Sequence, residues 1–450
     1  MTRSILIVAF ALICFTEVTA QDTTISRLSF EEAVKIGLEN NVKLNQEKNQ
    51  LVYTQINKTS SLLQLGPSVD ARADAFRVDG NSFNQQEGRV VNGKIDYITG
   101  SVDANIPVFA GLRIINEYRQ ADKSNEAQMH QVNRSTQDVI RDVAFQYLAC
   151  LLDQELIKID AENVETQTIQ YNQIKAQVEL GAKAEADLYN QEYQVKNAEL
   201  LLVRSRNKLK NDLATLALTI QIDPNIYFEV EEVDWDINEL VADTLSPDAL
   251  LATALGRRSD LKQAQSTEKA AKFGFASFKG QYFPSLYAGA SYGSRYNYIY
   301  GESNRTFNQQ FAEDNTSLSY GVSLQIPLYY GLRNRARAAQ SRVTYENAKI
   351  TTSSQEVKVK SDVLLAVQNF RDTKTSYAAA DAQLRAAELT YKMEKERYEL
   401  GISNMVQFTT TNQAYVKAKA DFQSAKYNLM FQKLMINFAT GTLKLEDIPR

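Results

Sequence analysis

The chain has 450 residues, of which 23% are charged, and a formal net charge of −4. This balance excludes the basic field that nucleic-acid binding requires, and the length allows roughly two or three globular domains. One histidine and two cysteines cannot form a His/Cys metal cluster or a histidine-based catalytic triad within one chain. The sequence also lacks a glycine-rich phosphate loop. We therefore predict that the protein is not an enzyme and has no metal, cofactor or nucleic-acid partner.

The N-terminal segment, residues 1–20, has the pattern of a secretory signal peptide. A basic residue precedes an apolar run over residues 5–15, and small residues lead up to a cleavage site after Ala20. The apolar run is too short to cross a bilayer as a helix. We favour cleavage over a lipid anchor at Cys14, because the residue before it is bulky. The exported chain would then keep only Cys150 and could not form an internal disulfide.

The remaining chain is an internal duplication. "IPVFAGLR" begins at Ile106 and "IPLYYGLR" at Ile326, an offset of 220 (326 minus 106). A second pair, "YNQIKAQVELG" and "YKMEKERYELG", has the same offset. Because the repeat is far longer than the roughly 20–50 residues of a solenoid unit, we predict two halves of one object. The two structural repeats are residues 21–221 and 245–441.

Each repeat opens with a helical stretch, residues 28–64 or 245–281, for which Ser29 and Ser246 are the expected N-caps. Two segments that alternate apolar and polar residues follow, and this period predicts strands with one face of each kind. The predicted strands are approximately 67–79, 94–107, 284–300 and 317–328. Polar loops are expected between the paired strands, at 80–93 and 301–316.

A single strand of this kind would favour a half-buried soluble sheet. Four such segments of about ten residues, in an exported and otherwise helical chain, favour a transmembrane β-barrel instead. An open sheet edge is not tolerated in lipid, because its backbone N–H and C=O groups have no water to bind. Bacterial barrels start at about eight strands, so at least two chains must share one barrel. Three chains would supply twelve strands.

Long helices follow the strands in each repeat. Residues 112–178 and 332–400 contain neither Pro nor Gly, and a helix of that length is roughly 100 Å long. The helical pattern breaks at Gly181 and Gly401 and then resumes. We therefore predict antiparallel helical hairpins over 112–221 and 332–440 with tips near these glycines.

A proline and a glycine are expected at the joint between the second strand and the long helix of each repeat. They are Pro107 and Gly111 in the first repeat and Pro327 and Gly331 in the second. Residues 222–244 carry eight acidic residues, no basic residue and the only tryptophan of the chain. We interpret them as an acidic linker or small equatorial subdomain, and residues 442–450 as a C-terminal tail. The single histidine, His130, is expected on a solvated helix face, and Cys150 is expected to be a packing residue.

This duplicated order of helix, strand pair, "IP(L/V)xxGLR" joint, long hairpin and "YELG" tip resembles the TolC family of outer-membrane efflux proteins, over about residues 28–441. The resemblance implies an α+β membrane protein in a Gram-negative bacterium. It implies a homotrimer whose 12-stranded β-barrel, embedded in outer-membrane lipid, continues into an α-helical barrel in the periplasm. It also implies two partners, a periplasmic adaptor (membrane fusion) protein and an inner-membrane pump of the RND or ABC type, with docking near the hairpin tips.

In that family an Asp, a Tyr and an Arg tie neighbouring helices together at the closed tip, and a double ring of Asp lines the constriction. Aligned on "YELG", the Tyr matches Tyr398, the Asp matches Asp187 and the Arg position holds Ser403. The two ring positions fall on Gln407 and Thr410. The resemblance thus implies an Asp187–Tyr398 pair without the charged link or the acidic ring. The simpler interpretation of this pair is two solvated polar residues near a turn.

The function that follows is a passive outer-membrane exit duct of a tripartite efflux or type I secretion system. The alternative is a structural or adhesive coiled-coil protein of the envelope, which explains the helices but not the duplicated strand-to-helix joints. The duct class itself leaves the cargo open, because selection of small molecules or secreted proteins belongs to the inner-membrane partner.

Overall fold

The computed structural model of the chain describes residues 27–84, 88–223, 228–233, 235, 237 and 246–447. The predicted signal peptide, including Cys14 and the cleavage site, lies outside the described residues, as does much of the acidic linker. The helices are α1 (Phe30–Asn40), α2 (Val42–Leu63), α3 (Arg113–Glu179), α4 (Glu185–Ile220), α5 (Pro247–Arg257), α6 (Ser259–Gly280), α7 (Arg333–Glu399) and α8 (Met405–Thr440). The strands are β1 (Arg27–Leu28), β2 (Ser68–Asn84), β3 (Arg89–Ala110), β4 (Glu229–Val230), β5 (Ser285–Ile299) and β6 (Ser317–Gln325).

The helical stretch that opens each repeat is two helices and not one. Asn41 ends α1 by donating its N–H to Gly37 O at 3.0 Å, and its side chain caps α2 by accepting from Leu44 N at 2.9 Å. Arg258 stands at the equivalent break, 217 residues later (258 minus 41), and donates its N–H to Ala254 O at 2.9 Å. Ser29 caps α1 as expected, whereas Ser246 makes no side-chain cap for α5.

The four long strands form one antiparallel sheet in the order β2-β3-β5-β6. β3 and β5 pair across the two repeats, and β6 covers β5 only from Ser285 opposite Gln325 to Gly293 opposite Ser317. Within the described ranges the sheet is open, because β2 and β6 each have a strand on one side only. We call the end where β2 passes into β3 the turn end, and the opposite end the helix end.

The register carries the predicted alternation across all four strands. Ala71, Val102, Tyr292 and Leu318 lie in one cross-strand row, and the adjacent row is Asp70, Asp103, Ser291 and Ser319. Because successive side chains point to opposite sides, the first row belongs to an apolar face and the second to a polar face. The apolar face comprises Val69, Ala71, Ala73, Ala75, Ile98, Val102, Ala104, Ile106, Ala288, Ala290, Tyr292, Tyr296, Leu318, Tyr320, Val322 and Leu324.

The strands of the first repeat run across much of the segment 80–93 that the sequence predicts as a loop. Gly80 and Gly93, which indicate a loop in the sequence, face each other as a cross-strand pair between β2 and β3. Cross-strand hydrogen bonding overrides the weak strand propensity of glycine and asparagine there. In the second repeat the loop 301–316 contains a π-helical turn, Gln309–Asp314.

The long helices pack side by side in one row. The helices that form the row near the sheet differ from those that form it near the hairpin tips. Near the sheet, α2 packs on α3, α3 on α6 and α6 on α7. Toward the hairpin tips, α3 packs on α4 and α8, and α8 packs on α7. α3 lies at the centre of this row of helices. Its buried residues recur at spacings of three and four and include Val139, Ile140, Val143, Tyr147 and Leu151. None of the helices in the described ranges combines the length and apolar composition that crossing a membrane requires.

The main apolar core lies at the waist of α3, where short elements from both ends of the chain wrap around it. Phe30 of α1 stacks on Tyr147 with ring centroids 4.7 Å apart. The Tyr147 hydroxyl donates to Leu28 O at 2.8 Å and accepts from Glu231 N at 3.0 Å, so it joins β1 and the chain after β4. Leu443, in the segment predicted as a tail, is buried in this core. The acidic linker and the tail therefore contribute core residues.

Candidate functional site

The hairpin tips have the same backbone geometry in both repeats. Gly181 and Gly401 follow α3 and α7 with φ of +74° each. Gly181 N–H donates to Val178 O at 2.9 Å and the next N–H to Gln177 O at 2.8 Å, which is the Schellman ending of a helix. The same pair of bonds follows Gly401. Glycine is needed at these positions because a side chain strains the left-handed conformation.

The predicted gate residues lie near the two hairpin tips, where Tyr398 has a partner that the sequence did not indicate. The Tyr398 hydroxyl accepts a hydrogen bond from Lys183 Nζ at 2.7 Å, and the same ammonium lies 4.7 Å from the ring centroid. This contact joins the tips of the two hairpins. Asp187 lies in the first turn of α4, where the helix dipole favours an acidic residue. The Asp187–Tyr398 pair stays a prediction.

Ser403 donates a hydrogen bond to the carboxylate of Glu394, which is almost fully buried. Arg397 Nη1 lies 3.3 Å from the same carboxylate. Buried charges in proteins are paired in this way, because desolvation of an isolated carboxylate is costly. Ser403 thus helps to hold a buried acid within its own hairpin. Sequence analysis did not single out Glu394 or Lys183.

Gln407 and Thr410 lie on one exposed side of α8, one turn apart. The Gln407 N–H is capped by Asn404 Oδ1 at 2.9 Å, and the Thr410 hydroxyl donates to Val406 O at 2.8 Å. Both side chains are uncharged at physiological pH. A ring built from them on a common axis would carry no negative charge.

A ladder of aromatic rings, which sequence analysis missed, closes the tip of the second hairpin. Phe408 is 2% exposed and lies between Tyr398, at 5.0 Å between centroids, and Tyr391, at 5.9 Å. Tyr391 also stacks on Tyr415 at 5.0 Å. The signal in the sequence is the spacing of seven residues between the two tyrosines of α7 and between Phe408 and Tyr415 on α8. That spacing places each pair on one helix face.

The first hairpin is held by amides near its tip. Gln191 Nε2 of α4 donates to both the backbone O and Oε1 of Gln167, at 3.0 and 2.8 Å. Both glutamines are buried. Asn412 of α8 donates to Asn163 Oδ1 at 3.1 Å, so a further amide pair joins the two hairpins.

Asp153 of α3 is a buried acid on the same hairpin, farther from the tip. Its side chain is 1% exposed, and Lys208 Nζ contacts Oδ1 at 2.5 Å and Asp212 Oδ2 at 3.1 Å. Burial raises the pKa of Asp153 to about 6, although the hydrogen bond from Lys208 acts against this rise. Burial likewise raises the pKa of the neighbouring Cys150 thiol far above its usual range. Cys150 is fully buried and packs in the core.

The two strand-to-helix joints differ in crowding. Gly111 has φ +60°, and a Cβ placed there would lie 2.2 Å from Gly280 O. Gly331 has φ +55°, and a Cβ there would meet nothing within 4 Å. Pro107 marks a register shift against β5 at the end of β3, and Pro327 lies just past the last residue of β6. A proline, which has no backbone N–H, is compatible with both positions, since bulges and strand ends do not need that donor.

The part of the chain that the structure describes holds no group of three or more His, Cys, Asp or Glu side chains placed to bind a metal ion. His130 lies on α3 and is partly exposed. Its surroundings, above all burial and then Lys262, lower its pKa.

A family model described as "Outer membrane efflux protein" matches residues 38–220 and 250–442, one match in each repeat. "Outer membrane protein TolC" from Escherichia coli is 24% identical over 282 residues, which is 62% of this chain and 56% of that protein. The chain thus spans just over half the length of that relative. "Toluene efflux pump outer membrane protein TtgC" from Pseudomonas putida is 24% identical over 314 residues, 68% of this chain and 59% of that protein.

Two solved outer membrane channels have the same fold. The Campylobacter jejuni CmeC outer membrane channel superposes with a TM-score of 0.79 at 15% identity, covering 93% of this chain and 88% of that chain. The open state of the Neisseria gonorrhoeae MtrE outer membrane channel gives a TM-score of 0.74 at 16% identity, covering 92% and 91%. At such low identity the similarity shows the fold alone.

Proposed function

Because the chain belongs to the outer membrane efflux protein family, we propose that it is a passive outer-membrane exit duct. It would carry substrates from the periplasm, or from an inner-membrane pump, to the exterior, within a tripartite efflux or type I secretion system. The observation that carries the proposal is a sheet with one apolar face joined directly to helices of 67 residues. Such a helix is about 100 Å long. The family is one of transport channels and not of enzymes.

The edges of the sheet support a barrel shared among copies. β2 and β6 are the edge strands, and the sheet is antiparallel throughout, so these two edges run in opposite directions. β6 of one copy can therefore pair antiparallel with β2 of the next. Exposed apolar side chains cover β6, of which Tyr320 is 83% exposed. In lipid this pairing would satisfy the backbone groups of both edges, and three copies would close a 12-stranded barrel.

The edge helices support the same closure in the periplasm. α7 carries exposed apolar residues at intervals of seven, at Val343, Ile350, Val357 and Leu364. On the other edge of the row, α2 carries exposed apolar residues that include Val52, Ile56 and Leu63. A repeat of seven is the pattern of a helix that packs against another helix in a left-handed supercoil. We infer that α7 of one copy packs against α2 of the next within a homotrimer.

The tips near Gly181 and Gly401 would form the periplasmic entrance and the docking surface for an adaptor protein. Asp187, Tyr398, Ser403, Gln407 and Thr410 would surround the constriction. Because Gln407 and Thr410 are neutral, the two rings they would form cannot concentrate cations by charge. We therefore expect weak cation selectivity there and no tight block by trivalent cations.

Single-channel conductance in a planar bilayer tests the proposal, with the oligomer mass measured in detergent beforehand. We expect three copies per particle, discrete conductance steps and no submillimolar block by a trivalent cation. The double variant Q407D/T410D should acquire cation preference and trivalent block, because it would install two rings of three carboxylates. Thr390→Asp, an exposed position farther up α7, serves as the control and should leave conductance unblocked.

Other outcomes would overturn parts of the proposal. Tight block of the unmodified protein, or no block of the double variant, would show that Gln407 and Thr410 do not line the constriction. Inserted protein that never conducts and is not trimeric would favour the structural or adhesive coiled-coil alternative. Steps that appear only in Q407D/T410D would indicate a gate that is sealed at rest.

A further inference from the structure

The loop between β5 and β6 is folded and fixed in place. β6 begins opposite Gly293, so residues 294–299 of β5 pair with β3 on one side and have no strand on the other. Side chains from residues 304–315, here called the loop segment, replace that strand. Asn315 donates to the backbone O of Arg295 at 2.9 Å, and Gln310 accepts from Asn297 N at 3.1 Å and donates to Asn297 O at 3.0 Å. Gln310 is 1% exposed.

The loop segment lies across the apolar face of the sheet. Gly100 and Ser294 are a cross-strand pair on that face, and together they leave a shallow notch. A Cβ on Gly100 would lie 2.9 Å from Phe311, and the Ser294 hydroxyl donates to Phe311 O at 2.5 Å. Phe307 stacks on Phe311 at 5.0 Å and meets the ring of Tyr296 edge-on at 5.2 Å. All of these contacts are on the side that would face lipid.

The polarity of the sheet reverses just beyond the loop segment. The row of Ala75 and Ile98 is followed, on the same side of the sheet and toward the turn end, by the row of Arg77 and Asp96. Arg77 Nε lies 2.6 Å from Asp96 Oδ1. On the opposite side, Ile95 is buried beside Tyr97. The apolar face of β3 therefore runs from Ile98 to the helix end, over about the 9–11 residues of a transmembrane strand. The aromatic rings of the loop segment lie at the boundary where this face ends.

We propose that the loop segment is an interfacial anchor that binds lipids of the outer leaflet at the level between headgroup and acyl chain. Phe307 is 49% exposed despite its two ring contacts. Tyr292 and Tyr298, also exposed on the apolar-face side, widen the aromatic surface. Aromatic side chains favour this level of a bilayer, because an apolar ring there borders wet headgroups. The anchor rests on the proposed function, since it requires the apolar face to meet lipid.

Depth-dependent quenching of a single tryptophan tests the anchor. The chain has one tryptophan, Trp235, so Trp235→Phe gives a dark background for reporters at Phe307→Trp and Tyr320→Trp. Each purified protein is placed in vesicles whose lipids carry bromine either near the headgroup or near the chain end. We expect F307W to be quenched more by the shallow bromine. Y320W, near the middle of the apolar face, should be quenched more by the deep bromine.

The two reporters separate the anchor from the barrel. If neither bromine quenches Y320W, the apolar face does not meet lipid, and the proposed function fails together with the anchor. If Y320W behaves as expected while only aqueous acrylamide reaches F307W, the anchor alone is overturned. A F307W signal shielded from bromine and acrylamide would place the loop segment against a neighbouring copy, which also overturns the anchor.

Discussion

The closed form of the second hairpin tip should depend strongly on Phe408. The ring is 2% exposed and touches Tyr391 and Tyr398. Truncation of a buried phenylalanine to alanine costs about 3–5 kcal/mol, which includes the cavity left behind. Because the tip lies far along the hairpin from the core at the waist of α3, this loss should appear as local opening of the tip and not as global unfolding.

Hydrogen exchange of the folded protein measures this effect. In Phe408→Ala, a loss of about 3–5 kcal/mol corresponds to amide exchange about 10²–10⁴ times faster over residues 391–415. Exchange over residues 139–151 at the waist should stay unchanged. Val406→Ala, which truncates a 75% exposed side chain on the same helix turn, is the matched control. Unchanged exchange at the tip, or an equal rise at the waist, would refute the assignment of the aromatic ladder as a local clasp.

Three further predictions concern the waist and the joints. Tyr147→Phe removes the hydroxyl hydrogen bonds to the backbone O atoms of Leu28 and Glu231, while the Glu231 N–H keeps its bond to Leu28 O, so the change should cost about 1 kcal/mol in thermal unfolding followed by circular dichroism. Gly111→Ala should lower the yield of folded protein more than Gly331→Ala, because both strain a positive φ but only the first forces a Cβ against backbone. For Asp153, whose pKa is raised to about 6, the folded protein holds a proton that the unfolded chain has lost above about pH 4. Its contribution to stability should therefore fall as the pH rises from about 4 to above 6, and Asp153→Asn should abolish that part of the pH dependence.

Each of these predictions has a control and a contradicting result. Tyr189→Phe changes a 66% exposed tyrosine and should be neutral; equal losses in both tyrosine variants would contradict the role of the buried hydroxyl. Equal yields of the two glycine variants would mean that the first joint can relax. Asp142→Asn, at an exposed carboxylate, should keep the pH profile of the unmodified protein. A profile of Asp153→Asn that matches it too would contradict the raised pKa.

The parts of the fold that were predictable from sequence are those with local signals. Runs without Pro and Gly define the long helices, and Gly181 and Gly401 mark their ends, because glycine alone adopts the Schellman position without strain. Alternation defines the strand faces, because a strand has a side-chain period of two. The duplication then repeats both signals, so each half supports the interpretation of the other.

What was not predictable depends on contacts between distant segments. Lys183 reaches Tyr398 across 215 residues of sequence, and an alignment on a tip motif cannot supply that partner. The segment 80–93 looks like a loop until its strands pair with each other. The loop segment is polar in sequence, and its amides become strand substitutes only because β6 stops short of the end of β5.

The two hairpins share the backbone geometry of their tips, but the side-chain contacts near the tips differ between them. At the offset of 220, the ladder residues Tyr398, Phe408 and Tyr415 correspond to Val178, Leu188 and Val195 in the first hairpin. Aliphatic residues replace these three rings there, whereas Tyr391 keeps an aromatic counterpart in Tyr171, and the buried amides of α4 and α3 supply the specific contacts instead. An amide pair contributes about 1 kcal/mol, less than a buried aromatic side chain. The tip of the first hairpin is therefore expected to open locally at a lower free-energy cost than the tip of the second.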